Sequence, residues 1–144
     1  MEERFKIAIC VDLMISRDLG QGKEILLMKR KNTGFNDGEY ELPGGHLEAN
    51  EDLFEAMIRE AKEELMLNIN RKSLKIATLM HHYTGNRLNV IFKLDGKNLN
   101  PQIGEPNKCE SLDWFNIQQL PNNITSKMRA IINNVAAGTL YERM

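Results

Sequence analysis

The sequence predicts a single α/β domain in which helices pack on a mixed sheet, and three observations support this. Short apolar segments bounded by polar turns alternate with two amphipathic segments of helical period. At 144 residues, with 42% hydrophobic and 27% charged residues, the chain suits one core. No linker-like, low-complexity or periodically repeated segment interrupts the sequence. We therefore interpret residues 1–144 as one domain with a sandwich architecture.

The first half of the chain predicts two strands and a loop. "FKIAICVDLMI" (5–15) and "KEILLMKR" (23–30) are short and apolar, and the Gly-containing turn between them favours a hairpin. Residues 31–45 are rich in Asn, Asp and Gly, which is typical of a long loop, with a brief strand at Tyr40 to Leu42.

A helix follows this loop. Asn50 is the expected N-cap, because acidic residues then occupy the first turn, where they meet exposed backbone amides. The apolar period extends to about Leu65. Similar reasoning predicts the second half as a strand pair, a polar loop, one more strand and a closing amphipathic helix, at 73–83, 87–95, 97–108, 109–115 and 124–138.

Charge and composition narrow the classes of partner. The formal net charge of -1 and pI near 6.3 provide no basic field for nucleic acid, so we do not expect nucleic-acid binding. The first apolar run is preceded by charged residues and interrupted by Asp12, which suits neither a signal peptide nor a membrane span. Cys10 and Cys109 lack metal-site spacing and are expected to be buried thiols. These features predict a cytoplasmic protein without a membrane partner.

Glu60, Glu63 and Glu64 form a column along the flank of the predicted helix, between its apolar stripe and its solvated face. Like charges at these spacings repel by roughly 0.2–0.5 kcal/mol per pair on an exposed helix. A cation reverses that cost, and carboxylates are the ligands that Mg²⁺ or Mn²⁺ prefers. The spacing of these acids also fits an ordinary solvated, Glu-rich helix, and this alternative stays open.

The wider pattern is more specific. It resembles the signature box of the Nudix hydrolases, and the flanking "NTGFNDGEYELPGG" and "LDWFNIQQLP" resemble segments around that box. The resemblance implies an α/β/α sandwich around a mixed β-sheet, and hydrolysis of a nucleoside diphosphate linked to another group. The matched residues follow the spacing G-x5-E-x7-R-E-x-x-E-E: Gly45, Glu51, Arg59, Glu60, Glu63 and Glu64.

By this resemblance, Mg²⁺ is the expected cofactor, with Mn²⁺ as an alternative, and four matched positions are its ligands. These are the carbonyl of Gly45 and the carboxylates of Glu60, Glu63 and Glu64. The catalytic set comprises Glu60, Glu63 and Arg59, in which the guanidinium orients neighbouring carboxylates. Either Glu60 or Glu63 is the expected general base.

Residues outside the box complete the predicted site. Glu105 follows a glycine in a polar loop, so it is expected to be an additional metal ligand and a third candidate base, whereas Glu110 begins a strand. Of the histidines, only His46 lies next to the box; His81 and His82 are interpreted as strand-end residues.

The sequence departs from the resemblance at Met66, where the Nudix pattern usually has glycine. A left-handed helix end costs a non-glycine residue roughly 1 kcal/mol or more. We therefore expect the helix to end differently, at Asn68.

The predicted reaction is hydrolysis of a nucleoside or deoxynucleoside triphosphate to the monophosphate and pyrophosphate. Alternatives are an ADP-ribose or nucleotide-sugar pyrophosphatase, a catalytically silent nucleotide-binding module, and a non-catalytic α/β protein with an acidic helix. The partner is a small nucleotide in the leading interpretations, and a homodimer is left open. The sequence does not identify the residues that recognise the base.

Overall fold

A computed structural model describes residues 2–144 as two helices on opposite faces of an eight-stranded sheet. The helices are α1 (Leu53–Leu65) and α2 (Ser126–Ala137), and a 3₁₀ turn lies at Arg71–Ser73. The strands are β1 (Ala8–Asp18), β2 (Lys23–Arg30), β3 (Tyr40–Glu41), β4 (Gly44–His46), β5 (Lys75–His82), β6 (Arg87–Asp95), β7 (Cys109–Asn116) and β8 (Tyr141–Arg143).

The sheet is mixed, as predicted. Its order is β3-β2-β1-β6-β5-β8, with β4 also paired to β1 and β7 to β2. The β1–β6 and β5–β8 pairs are parallel and the others antiparallel. Along one edge of β1, residues 10–12 pair with β4 while residues 16–18 pair with β2. The loop that precedes α1 is therefore hydrogen-bonded directly to the central strand.

The two faces of the sheet carry separate apolar cores, which confirms the α/β/α sandwich. Strand alternation sends Val11, Leu13 and Ile15 of β1 toward α1, where they pack with Met57 and Leu65. The opposite face packs against α2, in a cluster that includes Met14, Ile25, Leu27, Met80, Ile91, Met128, Ile131 and Ile132. Both helices bury one apolar stripe, as their periodicity predicted.

The start of α1 differs from the prediction by two residues. The N-cap is Asp52, whose carboxylate accepts the Glu55 amide at 2.8 Å while the Glu55 carboxylate accepts the Asp52 amide at 3.0 Å. This reciprocal capping box satisfies two backbone donors at once. Asn50, the expected N-cap, instead adopts a left-handed conformation (φ 67) in the preceding turn. The prediction at Asn50 was therefore wrong.

The end of α1 lies at Leu65, so the expected end at Asn68 was also wrong. Met66 itself adopts the left-handed conformation (φ 56, ψ 35) that the family pattern assigns to glycine. The Leu67 amide donates to the Ala61 carbonyl at 3.4 Å, and the Leu67 side chain is buried in the core. Burial of this apolar side chain anchors the turn, and the exposed Met66 bears the conformational cost.

Two short strands, β4 and β8, were not predicted. Gly44 and Gly45 lie within β4, where pairing with β1 replaces the expected loop. The β8 strand comes after the Gly138 helix cap and joins the edge of β5. Neither helix has the length and apolar character needed to cross a bilayer within the part of the chain that the structure describes.

We predict that Met66→Gly stabilises the protein by about 0.5–1 kcal/mol. Glycine relieves the left-handed strain, and the gain exceeds its greater chain entropy in the unfolded state. Little packing is lost because Met66 is 63% exposed. Urea unfolding measures the change in the free energy of unfolding. The matched control is Met66→Ala, which shortens the side chain but keeps the Cβ; an equal gain in that variant would contradict the strain explanation.

Candidate functional site

The backbone of Gly45 lies against the carboxylate of Glu60. A Cβ built on Gly45 would lie 2.3 Å from Glu60 Oε1, closer than any non-bonded contact allows. The Glu60 side chain is only 13% exposed, and burial raises its carboxyl pKa although the neighbouring Arg59 opposes the shift. The predicted ligands from strand β4 and helix α1 therefore lie in direct contact, and a side chain at Gly45 would displace the Glu60 carboxylate from this position.

Glu64 contacts the other glycine of strand β4, Gly44. Its Oε1 accepts the Gly44 amide at 2.9 Å. Burial, followed by repulsion from Glu60 and Glu41, raises the Glu64 carboxyl pKa to about 9. Without a nearby positive charge this side chain is therefore protonated at neutral pH, and a cation would favour its ionised form.

Arg59 organises the carboxylates around it. Its Nε and Nη2 donate to the two oxygens of Glu51 at 3.1 and 2.8 Å, a bidentate pair that lowers the Glu51 carboxyl pKa. Nη1 donates to Glu60 Oε1 at 2.8 Å, and Nη2 also donates to the His46 carbonyl at 3.0 Å. Glu63 lies farther away, at 3.5 Å, and half of its side chain is exposed. One guanidinium thus links α1, β4 and the loop between them.

The loop that carries Glu105 packs against the C-terminal end of α1. The Gly104 amide donates to the Glu64 carbonyl at 2.9 Å, and a Cβ on Gly104 would lie 2.0 Å from the Glu63 carbonyl oxygen. The negative charge of Glu105 contributes to the raised carboxyl pKa of both Glu60 and Glu64. Glu105 therefore joins Glu60, Glu63 and Glu64 in one group of carboxylates, which we call the acidic cluster.

Glu110 occupies a different surface. It forms an ion pair with Lys29 at 3.0 Å and lines a separate shallow depression on the outside of β2 and β7. The structure therefore places Glu105 and Glu110 on different surfaces, and the role of Glu105 stays a prediction.

The residues present fit a hard divalent cation. As the side chains stand, no three His, Cys, Asp or Glu within residues 2–144 converge on a single point. Arg59 holds Glu60 and the Gly44 amide holds Glu64, whereas Glu63 projects into solvent. The donors are carboxylate oxygens beside a glycine backbone, which is the chemistry that Mg²⁺ and Mn²⁺ prefer.

The acidic cluster lines a cavity of about 830 Å³. The cavity also reaches α2, whose Met128 is one of its lining residues. Polar and charged side chains of β1, β6 and α2 line the same cavity, namely Asp12, Arg87, Asn89 and Lys127. Such a volume is sufficient for a nucleotide-sized ligand.

Asp12 and Asn89 were missed as site residues by the sequence analysis. Both are buried, and burial raises the Asp12 carboxyl pKa to about 6 despite the hydrogen bond from Asn89. The available signal was a charged residue inside an otherwise apolar strand, "IAICVDLMI". A charged residue at this position argues against a membrane span, but it does not show that the carboxylate lines a cavity.

The remaining predicted residues lie as follows. His46 is exposed and contributes its carbonyl to Arg59. His81 and His82 end β5, as predicted, and His81 lies 3.0 Å from the Tyr141 hydroxyl. Cys10 and Cys109 are buried and free.

Comparison with known proteins agrees with this geometry. The chain is 34% identical over 116 residues to an ADP-ribose pyrophosphatase of Methanocaldococcus jannaschii, and the match covers 79% of the chain. The chain spans only 64% of the length of that relative.

Solved structures share the fold. A MutT NUDIX hydrolase from Burkholderia pseudomallei superposes with a TM-score of 0.72 at 26% identity, covering 88% of this chain and 95% of the other. The NUDIX domain of Shewanella oneidensis NrtR, complexed with ADP ribose, gives 0.73 at 16% identity, covering 94% and 89%. The NUDIX domain model matches residues 7–135. This match includes strands β1 to β7, helix α1, most of α2 and the acidic cluster, and the chain belongs to the NUDIX family.

Proposed function

We propose that this protein hydrolyses a pyrophosphate bond in a nucleoside diphosphate-linked compound and that the reaction requires a divalent cation. The observation that carries the proposal is the arrangement of Glu60 between Arg59 and the glycine backbone of β4. Family membership and the relative named as a pyrophosphatase support it. A catalytically silent binding module is disfavoured because every acidic position of the box is present.

In this proposal the metal ligands are the Gly45 carbonyl and the carboxylates of Glu60, Glu63, Glu64 and Glu105. A bound Mg²⁺ or Mn²⁺ neutralises phosphate charge and makes a coordinated water more acidic. Arg59 keeps the Glu60 carboxylate oriented while Glu51 fixes the guanidinium.

The general base is Glu60 or Glu63, with Glu105 as the third candidate. Glu63 is half exposed and has only a long contact to Arg59, so it is free to reach a water molecule. Glu60 is held more tightly by the same guanidinium, which suits a ligand that must keep its position.

Two substrate candidates follow from different observations. The sequence predicts a nucleoside or deoxynucleoside triphosphate, cleaved to the monophosphate and pyrophosphate. The Methanocaldococcus jannaschii relative, named as an ADP-ribose pyrophosphatase, favours ADP-ribose as the second candidate.

The two free, buried thiols suit a reducing compartment, and we propose the cytoplasm as the setting.

Glu63→Gln is expected to lower kcat by at least about a hundredfold, because it keeps the shape of the side chain but removes a charge from the site. Excess chelator should abolish turnover of the unaltered protein. Steady-state product formation, measured by chromatographic separation of the nucleoside monophosphate, reports both effects, and circular dichroism checks folding. The control is Glu24→Gln, a remote surface acid paired with Arg17. Full activity of the Glu63 variant or of chelated protein would refute the proposed site.

Glu105→Gln is expected to reduce turnover about tenfold or more at saturating metal, because the carboxylate belongs to the acidic cluster. Glu110→Gln is the matched control and is expected to retain activity, since it loses only a surface pair with Lys29. Initial rates over a Mg²⁺ titration separate weaker metal binding from slower chemistry. A larger loss in the Glu110 variant would reverse the assignment.

The products decide between the substrates. A triphosphate should yield pyrophosphate directly, whereas ADP-ribose should yield two monophosphates. We expect kcat/KM for at least one common or oxidised triphosphate to exceed that for ADP-ribose, measured with Mg²⁺ and product separation. Preferred turnover of ADP-ribose would reject the triphosphate while leaving the proposed chemistry intact.

A further inference from the structure

The cavity that the acidic cluster lines also holds a buried polar pair that pyrophosphate hydrolysis does not use. Asn89 Nδ2 donates to Asp12 Oδ2 at 2.7 Å across the parallel β1–β6 pair. Asp12 is 8% exposed and Asn89 6% exposed, and both line the cavity. Met14 and Ile91, two residues further along each strand, pack in the α2 core. Alternation therefore places the polar pair on the same face, just beyond that core.

The pair has more acceptors than donors. A carboxylate accepts up to about four hydrogen bonds, and Asn89 supplies one of them. The second polar atom of Asn89, Oδ1, is buried and has no hydrogen-bond partner in the described part of the chain. Arg87 and Lys127 line the same cavity, yet neither forms an ion pair with Asp12 within residues 2–144. Unsatisfied buried acceptors cost folding free energy, and N–H donors of a ligand would offset that cost.

The surroundings of the pair suit a flat ligand. Met28, Leu42 and Met128 are buried apolar side chains that line the same cavity as the Asp12–Asn89 pair, which we call its polar floor. Ligand sites typically combine such apolar walls with a few fixed polar groups that set orientation. A nucleobase has this character, since its faces are apolar and its edge carries hydrogen-bonding groups.

We propose that Asp12, held in position by Asn89, accepts hydrogen bonds from adjacent ring and amino N–H groups of a guanine-type base. This inference rests on the proposed function, because the phosphates of the same nucleotide would extend toward the acidic cluster. Guanine presents two neighbouring donors to a carboxylate. Hypoxanthine lacks the amino donor, and adenine places a ring acceptor beside its amino group, so both match the floor less well.

The test uses nucleoside monophosphates, which contain no pyrophosphate bond and therefore bind without being hydrolysed. Isothermal titration of the full chain should show GMP binding about tenfold or more tightly than IMP or AMP. In Asp12→Asn, which keeps the shape of the side chain, the ratio of GMP to IMP affinity should fall below about threefold. Asn89→Ala should lower the same ratio by freeing the carboxylate from its orientation.

Asp95→Asn is the matched control, because this exposed acid ends β6 outside the cavity. It should keep the full preference for GMP. Thermal melting confirms that each variant is folded, and Asp12→Asn alone decides the matter if Asn89→Ala fails to fold.

Four results would each overturn the inference: equal GMP and IMP affinity, tighter AMP binding, no saturable binding of any monophosphate, or an unchanged preference in Asp12→Asn. Failure here is distinguishable from failure of the proposed function. A protein that hydrolyses pyrophosphate bonds without base preference contradicts only the base site, whereas one that prefers GMP but hydrolyses nothing contradicts only the catalytic proposal.

Discussion

The geometry of the site depends on Arg59, whose guanidinium binds both oxygens of Glu51, one oxygen of Glu60 and the His46 carbonyl. A lysine could not form this planar, multidentate set, because it presents a single point charge. The contacts hold together a helix, a strand and the turn between them. They also fix Glu60 against Gly45, where a larger residue would displace the carboxylate. The box spacing therefore specifies a tertiary arrangement as well as a set of acidic side chains.

This arrangement brings together buried carboxyl groups whose ionised forms the protein alone only partly stabilises. Glu60, Glu64 and Glu41 all have raised carboxyl pKa values, for which burial is the largest cause, and Arg30 partly offsets the charge of Glu41. Native proteins seldom bury such groups without partners. A divalent cation stabilises the ionised forms, so metal binding and proton release from these carboxyl groups are expected to be coupled.

Much of the fold was predictable because its signals are local. Apolar period identified the long strands and both helices, and box spacing identified the acidic cluster. The errors at Asn50, Met66 and β4 arose where tertiary contacts decide between local alternatives. Asp52, and not Asn50, forms the capping box at the start of α1. Leu67 is buried in the core, and Met66 adopts the left-handed conformation before it. The glycine pair becomes part of a strand because it pairs with β1. The Asp12–Asn89 contact joins residues 77 positions apart, so no local pattern could reveal it.

Strand β1 connects the acidic cluster with the polar floor. Its residues Val11 and Asp12 pair with Gly45 and Gly44, so the strand that carries the polar floor also positions the glycine backbone of the acidic cluster. A Cβ on Gly44 would lie 2.1 Å from the Val11 carbonyl oxygen and 2.7 Å from Asp12 Oδ1, so the glycine backbone packs closely against β1. A nucleotide held at the floor would therefore have its phosphates placed by the register of one strand pair. Because paired strands resist slippage, this register would set the distance between the bound base and the scissile bond.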